Sequence, residues 1–414
     1  MRTVVRLLPL VIVHVLIIAL YSQGHPGLVQ GENRYVTDAA KLIEPRSPMM
    51  ERDPVPWNGP GYPLFLVPFV LLRAPNVLLR LANAVLMLLG SLYLIRSLRY
   101  FVEEKWAYVA VYCMGLYPAL LKYLPRILTE PFCIFLACGL VFHLIHMNRS
   151  PDRRRLHLVI AGVYFGFLAL AKVLFGYVIG AAILFYLVVS LISRKRWAVR
   201  ALLVAAIALA VCVPYLHRTY SLTGRVFYWA QSGGLSLYWM ASPMEEEYGD
   251  WLTGTKSWLG GYWRAEKHQE FLESLGSLSP VERDQVLRKE AVRNMLDHPG
   301  KFAKNWVANV ARLFLHYPFS YKQHTMEDLR TVLSGSVLLV LCGFCIIPTV
   351  ANWRAIPAGI QQAVIIGLFY VGGNSLLSAY DRMLLPVFPV MAVWLTYILA
   401  HTVRPGCLRM RFHT

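Results

Sequence analysis

The sequence predicts an all-α polytopic membrane protein with about ten transmembrane helices. Of its 414 residues, 57% are hydrophobic and 15% are charged, and its mean hydropathy is +0.48, which is far more apolar than a soluble domain. A helix needs about 20 apolar residues to cross the hydrocarbon layer. Windows of this kind recur at 4–21, 76–97, 106–121, 130–147, 157–173, 175–193, 199–216, 331–350, 357–377 and 383–402.

A shorter apolar segment, 61–72, interrupts this pattern. It contains Pro63 and Pro68, and it is too short to cross the membrane as a helix. A re-entrant or interfacial helix fits it better. Counting it as a crossing would also move every later loop to the opposite side of the membrane.

Basic residues are concentrated in alternate connections and in both tails. The formal net charge of +18 could suggest nucleic acid binding, but an excess of Lys and Arg on one side is typical of cytoplasmic loops. The pattern therefore predicts cytoplasmic termini and no nucleic acid partner. The first window is predicted to be a retained anchor, because no small-x-small cleavage site follows it. The basic residues are Arg2, Arg6, Arg96, Arg99, Lys105, Arg149, Arg153, Arg154, Arg155, Arg194, Lys195, Arg196, Arg200, Arg354, Arg404, Arg409 and Arg411.

Several ionisable residues fall at the predicted outer ends of the apolar windows. Charges at membrane depth are costly and tend to be functional. Arg126 stands four residues before Glu130, and an ion pair within one helix is the simpler interpretation of these two. The residues of this outer set are Glu130, Lys172, Arg218, Asp381 and Arg382.

A series of short motifs occurs in a recognisable order. They are ENRYVTDAAKLI, PGYPLF, YPALLKYLPRILTEPFCIFL, VPYLHRTYSLTGRVFYWAQSGGLSLYW, HPGKFAKNWVANVARLF and YDRMLLPVFPV. Their order and spacing resemble the GT-C superfamily of polytopic glycosyltransferases, in particular the branch of protein O-mannosyltransferases and the aminoarabinose transferase of lipid A. The resemblance implies a GT-C-like fold and a polyprenyl-phosphate-linked sugar donor. It also implies inverting single displacement onto a glycan, lipid or protein acceptor at the outer face of the cytoplasmic membrane.

The resemblance implies that an acid in the first outer loop is the catalytic base. The family commonly has Asp, or Asp-Glu, just before x-x-Tyr, whereas this chain has Gly31-Glu32 before Asn33-Arg34-Tyr35. Glu32 therefore takes the role by resemblance, and Asp38 is the reserve candidate. Both acids could instead be solvated loop residues. The other expected site residues are Glu130 as a further catalytic candidate, and Tyr35, Tyr62, Tyr380 and Asp381 near the acceptor or sugar.

Cations at the outer face are predicted to neutralise the phosphate leaving group, since preorganised charge is usually the largest catalytic effect. Arg80 is predicted to matter less, because a residue near the end of a window can snorkel. No cofactor is expected. As a minor alternative, Glu32 and Glu130 could hold a divalent ion through carboxylate oxygens. The predicted phosphate-binding residues are Lys172, Arg218, Arg382 and, with less support, Arg126.

Three parts follow along the chain. Residues 1–216 are predicted to form a transmembrane catalytic core with its first outer loop at 22–75. Residues 217–330 form a mostly helical extracytoplasmic region, and residues 331–414 form the last transmembrane helices and a basic cytoplasmic tail.

Two helices are predicted within the extracytoplasmic region. Ser279-Pro280-Val281-Glu282 is typical of a helix start. The helix after Pro299 is predicted to be amphipathic and to lie on the outer leaflet. Its apolar side would consist of Phe302, Trp306, Val310 and Leu313.

Two other functions compete with the glycosyltransferase interpretation. A transporter or flippase for a lipid-linked or acidic solute would also have many spans, but such proteins usually contain internal repeats and broken helices, and no two-fold repeat is evident. A non-catalytic membrane assembly subunit would leave Glu32, Glu130 and Lys172 unexplained.

Overall fold

The computed structural model describes residues 2–29, 31–44, 57–251, 266–316 and 326–401. Throughout these ranges the regular structure is helical, which confirms the all-α class. The helices are α1 (Arg2–Gly24), α2 (Glu32–Ile43), α3 (Gly61–Leu71), α4 (Asn76–Leu98), α5 (Glu104–Gly115), α6 (Pro118–Tyr123), α7 (Thr129–Arg149), α8 (Arg154–Ala171), α9 (Leu174–Ser193), α10 (Arg196–Thr223), α11 (Ser232–Met240), α12 (Gln269–Ser274), α13 (Pro280–Asp297), α14 (Pro299–Leu315), α15 (Met326–Ala351), α16 (Ala358–Ser375) and α17 (Phe388–His401).

Eight helices in the described ranges are long and apolar enough to cross a membrane, counting α17 with the turns that precede it from Asp381. They correspond to eight of the predicted windows. The window 106–121 is divided between α5 and α6, because Pro118 disfavours helical geometry at the residue before it. The window 357–377 forms α16, whose Gln361, Gln362 and Asn374 make it less apolar than the eight.

The doubtful segment 61–72 forms α3, an 11-residue helix. Such a helix is about 16 Å long, which is too short for a crossing, as predicted. Gly61 lies directly against the end of α8, where an added Cβ would be 2.6 Å from the backbone nitrogen of Ala171. α3 is therefore held against the bundle by a close backbone contact.

Helix α7 lies at the centre of the bundle. In its most apolar window 83% of the residues are buried, against 22% for α1, and α7 packs against α4, α8, α16 and α17. The Gly162 and Gly166 pair on α8 lies against α10, where an added Cβ would be 2.5 Å from Ile207 and 2.8 Å from Val211. The small residues thus permit a close helix crossing.

Helices α11 to α14 form a smaller layer at one end of the bundle, with its own core around Leu235, Trp239 and Leu287. The predicted start of α13 is confirmed by a capping box. The Glu282 amide donates to Ser279 Oγ at 3.4 Å, and the Ser279 amide donates to Glu282 Oε2 at 2.9 Å. These bonds satisfy two amides at the helix start.

The position of α14 on the outer leaflet stays a prediction, but the structure shows which of its sides faces the protein. Lys301, Asn305 and Arg312 are buried, whereas Trp306 and Val307 are 42% and 62% exposed. The polar side chains bond to backbone carbonyls of neighbouring segments. Because these bonds satisfy buried polar groups on both partners, α14 turns its polar side inward.

Candidate active site

The candidate site lies where the start of α7 meets the start of α2, the turn between α8 and α9, and the turn before α17. Glu130 is the second residue of α7 and is 2% exposed. Lys172 and Arg382 both lie within electrostatic reach of this end of α7. The fold therefore brings together several of the ionisable residues predicted from sequence.

Glu32 begins α2, and its carboxylate is 1% exposed. Its Oε2 accepts from Arg80 Nη2 and the Val29 amide, both at 2.9 Å, and its Oε1 accepts from the Ile127 amide at 3.0 Å. Each carboxylate oxygen thus already has a donor. Glu32 therefore holds together the start of α2, helix α4 and the turn before α7.

Arg80 does not snorkel, contrary to expectation. Its side chain is fully buried on α4, and its guanidinium donates to His25 O at 2.6 Å, Gly27 O at 2.9 Å and Glu32. It also lies 5.1 Å from the ring centroid of Tyr21. Arg80 therefore fixes the connection from α1 to α2 against α4.

Glu130 on α7 pairs with Lys172 in the turn between α8 and α9, at 3.3 Å between Oε1 and Nζ. Its Oε2 is buried and accepts no hydrogen bond from the part of the chain that the structure describes. Arg126 lies in the turn before α7 and not one helical turn earlier on it, so the expected Arg126–Glu130 pair within one helix is wrong. Glu130 thus combines one paired oxygen with one that is available to a ligand.

The turn before α17 contributes Asp381 and Arg382. Asp381 is 3% exposed, and its Oδ1 accepts from Tyr123 Oη at 3.1 Å and the Arg382 amide at 2.8 Å and lies 3.1 Å from His316 Nδ1. The guanidinium of Arg382 interacts electrostatically with Glu130, yet no hydrogen bond joins it to any described residue. Asp381 is thus a positioning group, and Arg382 has donors left for a ligand.

Helix α14 determines where this turn lies. Asn309 donates to the carbonyls of Asn374, Ser375 and Leu377 at 3.2, 2.9 and 2.6 Å. Its Oδ1 accepts from the Ala379 amide at 3.0 Å. The buried side-chain amide of Asn309 therefore ties the end of α16, and the chain leading to Arg382, to α14.

Aromatic residues close one side of the site. The Tyr35 and Tyr62 rings meet edge to face at 5.2 Å between centroids, and Asn58 Nδ2 donates to Tyr35 Oη at 3.2 Å. Burial, with a smaller contribution from the nearby Glu130 carboxylate, raises the pKa of Tyr35 to about 12. Tyr35 is therefore neutral at physiological pH. Tyr380 is half-buried and donates to Trp251 O at 3.1 Å.

Two predicted residues lie to the side of this cluster. Asp38 is on α2 and pairs with Lys41 at 3.4 Å. Arg218 is exposed on α10, and both it and Asp38 lie near Tyr215. Among the described residues, neither forms a hydrogen bond or ion pair with Glu130.

The described residues contain no group of three or more His, Cys, Asp or Glu side chains arranged to hold a metal ion. Both oxygens of Glu32 already accept hydrogen bonds. Glu32 is therefore poorly suited to share an ion with Glu130.

Sequence reasoning missed four positioning residues: Arg80, Tyr123, Asn309 and His316. For Arg80 a signal existed, because a charge inside an apolar window suggests function by default. Tyr123 and His316 lie at helix ends and Asn309 lies within α14, and nothing local distinguishes these three residues. They are recognised only through their contacts.

Residues 58–217 match the family described as dolichyl-phosphate-mannose-protein mannosyltransferase. This range includes Tyr62, Arg80, Glu130 and Lys172. No curated protein matches the chain.

Solved structures provide the fold comparison. The oligosaccharyltransferase of Archaeoglobus fulgidus in its apo form superposes with a TM-score of 0.54 at 13% identity, covering 95% of this chain and 50% of that one. The oligosaccharyltransferase AglB from Archaeoglobus fulgidus in complex with an inhibitory peptide and a dolichol-phosphate gives 0.52 at 14%, with the same coverage. ArnT from Cupriavidus metallidurans bound to undecaprenyl phosphate gives 0.42 at 13%, covering 95% and 77%.

The chain spans about half the length of the oligosaccharyltransferases that it matches. At such low identity the likeness establishes the fold. The resemblance predicted from sequence is thereby confirmed: residues 58–217 match the mannosyltransferase family, and this multi-pass membrane chain has the fold of the oligosaccharyltransferases that it matches.

Proposed function

We propose that this protein transfers a sugar from a polyprenyl-phosphate donor to a hydroxyl or amine acceptor at the outer face of the cytoplasmic membrane. The observation that carries the proposal is the Glu130, Lys172 and Arg382 cluster at the start of α7. It combines a carboxylate oxygen without a donor and a guanidinium without a hydrogen bond among the described residues. A proton donor on the acceptor would bond to the carboxylate oxygen, and an anionic leaving group would bond to the guanidinium.

The comparisons support a lipid-linked phosphate donor. The matching family is described by a dolichyl-phosphate-linked mannose donor, and one AglB structure with this fold contains a dolichol-phosphate. Such a donor keeps its isoprenoid chain in the lipid and its phosphate at the interface. The cations at the end of the bundle suit that geometry.

Arg382 and Lys172 are the proposed phosphate ligands. When the bond between the anomeric carbon and the phosphate oxygen breaks, its electron pair remains on that oxygen. Positive charge already in place lowers the energy of this developing anion. Arg382 offers a planar set of donors that matches phosphate oxygens, while Lys172 supplies a point charge shared with Glu130.

Glu130 is the proposed general base in place of Glu32. The acceptor oxygen or nitrogen attacks the anomeric carbon from the side opposite the phosphate, which inverts the configuration, and its proton passes to Glu130 Oε2. Both oxygens of Glu32 accept bonds from Arg80 and backbone amides. Taking up a proton there would break contacts that hold the site together, so Glu32 acts by positioning.

The proposed orientation rests on the charge distribution along the chain. The site lies at the first residues of α7, whereas Arg149, at the end of the same helix, belongs to the basic connections. An excess of basic residues is typical of the cytoplasmic side. The site would then face outward and both termini inward.

Sugar transfer by the purified protein tests this function. The assay supplies a radiolabelled sugar on polyprenyl phosphate in lipid nanodiscs and follows water-soluble or lipid-bound product and the released polyprenyl phosphate. Glu130→Gln should reduce kcat by at least about a hundredfold. Lys105→Ala, which removes an exposed cation at the other end of the bundle, is the control and should retain activity.

Two results would contradict the proposal. Equal turnover by Glu130→Gln and wild type would remove Glu130 from the chemistry. Movement of intact donor across liposome membranes without any transfer, for a range of acceptors, would favour the transporter alternative.

A further inference from the structure

A cavity of about 330 Å³ lies at the opposite end of α7 from the candidate active site. Asn148 and Arg149, the last residues of α7, line it together with Arg200 near the start of α10 and Ala358 at the start of α16. Glu130 and Arg149 are nineteen residues apart on one helix, or about 28 Å along its axis. The cavity is therefore separate from the proposed transfer chemistry.

Its two arginines lack acidic partners. No ion pair among the described residues includes Arg149 or Arg200. Arg154 and Arg196 lie close enough to Arg200 to interact with it electrostatically, which adds like charge. Such a concentration of positive charge attracts anions.

Neighbouring residues hold both guanidinium groups at the cavity wall. Arg149 lies 4.5 Å from the ring centroid of Phe101. Arg200 donates to Asn148 Oδ1 at 3.2 Å, and Asn148 is itself oriented by its bond to Gln362 Oε1 at 3.0 Å. An arginine has five N–H donors, so most of those on Arg200 are left for a ligand.

We propose that this cavity binds the phosphate headgroup of an anionic phospholipid. The walls include Phe101, Ile145 and Trp197, which would contact the apolar part of a lipid below the phosphate. The cavity also lies at the ends of the membrane-crossing helices α7 and α10, the depth at which headgroups occur. The first residues of α16 complete the wall with a helix start, where negative charge is favoured.

Native mass spectrometry of the full-length protein tests the site. Purified protein is titrated with phosphatidylglycerol, and with phosphatidylcholine of the same acyl chains as the zwitterionic control. The wild type should retain phosphatidylglycerol preferentially. Combining Arg149→Gln with Arg200→Gln should weaken phosphatidylglycerol binding by about tenfold or more, since a tenfold change in affinity corresponds to about 1.4 kcal/mol and the variant removes both charged donors.

Two further variants make the test specific. Arg153→Gln with Arg155→Gln removes two exposed arginines of the same basic end that do not line the cavity, and it should leave binding nearly unchanged. Ala358→Asp places a carboxylate in the cavity at the first residue of α16. It should compete with the lipid while the thermal unfolding midpoint stays at or above that of the wild type.

Three outcomes would overturn the proposal. One is unchanged phosphatidylglycerol binding in both the Arg149/Arg200 and Ala358→Asp variants. Another is an equal loss in the Arg153/Arg155 control, which would indicate attraction to the whole basic face. The third is binding of soluble glycerol phosphate as tight as that of phosphatidylglycerol in the same titration, and its loss in the same variants, which would assign the cavity to a soluble ligand.

Discussion

The buried Glu32–Arg80 pair yields the sharpest test of how the site is built. Arg80→Met keeps much of the side-chain volume and removes the charge. Glu32, at 1% exposure, would then be a carboxylate without a cation or solvent, retaining only the Val29 and Ile127 amides. Breaking one partner of a buried pair costs about 3–5 kcal/mol, and the two remaining amides favour the lower end of that range.

The assay combines thermal unfolding of purified protein with sugar transfer. Arg80→Met should lower the unfolding midpoint and, by releasing the connection from α1 to α2, reduce transfer. Adding Glu32→Gln to Arg80→Met should restore part of the stability, because the two residues interact and their effects are not additive. Arg6→Met is the matched control. It breaks an exposed pair with Glu104, whose side chains are 57% and 47% exposed, and such pairs contribute little.

The same experiment separates the two roles of Glu32. If Glu32 is a positioning group, Glu32→Gln should lower the unfolding midpoint and the rate of sugar transfer together. If Glu32 is the base, the substitution should leave the unfolding midpoint unchanged and reduce only kcat, by at least about a hundredfold. An Arg80→Met midpoint as high as that of Arg6→Met would refute the argument from burial.

Three other predictions concern the remaining elements. Asn309→Leu should reduce kcat and lower the unfolding midpoint, since it removes the side-chain partner of the Ala379 amide and of the Ser375 and Leu377 carbonyls, at about 1–3 kcal/mol for each group left unpaired; normal kinetics would show that α14 does not position Arg382. Lys172→Ala should raise the donor KM or lower kcat, and Lys172→Arg should recover part of the loss; wild-type kinetics in Lys172→Ala would place the phosphate elsewhere. A cysteine replacing exposed Ser274 should react with an impermeant thiol reagent in intact cells, whereas one replacing Asp152 should not; the opposite pattern would reverse the proposed orientation.

Gly59, in the first outer loop, is unsuitable for the same labelling experiment because of its packing. An added Cβ there would overlap the Leu170 carbonyl oxygen. A cysteine at Gly59 would therefore disturb the contact between α8 and the chain leading into α3. Ser274, on α12, is exposed and has no such constraint.

Local composition was sufficient for the class of the protein and for most of its helices. Whether a segment is apolar enough to cross a membrane depends on the summed transfer free energies of its own residues. The windows at α1, α4, α7, α8, α9 and α10 were therefore predictable without a tertiary structure. The start of α13 was equally local, because Ser279 and Glu282 bond to each other's amides.

The partners of the charged residues were decided by the tertiary structure. Glu130 pairs with Lys172, 42 residues away, and not with Arg126, four residues away. Glu32 pairs with Arg80 across 48 residues. A burial argument applied to each segment alone cannot anticipate such pairs, because the free energy of a buried charge depends on which helix ends meet.

The orientation of α14 was also decided by the tertiary structure. Its sequence contains apolar and polar residues on different sides, and periodicity alone assigns the apolar side to the nearest apolar environment. The structure turns Lys301, Asn305, Asn309 and Arg312 toward the protein, where carbonyls of the chain before and after the helix accept their hydrogen bonds. Sequence by itself determined that α14 has two unlike sides. Only the tertiary structure decided which side is buried, because the unpaired carbonyls that make a polar interior favourable belong to segments distant in the chain.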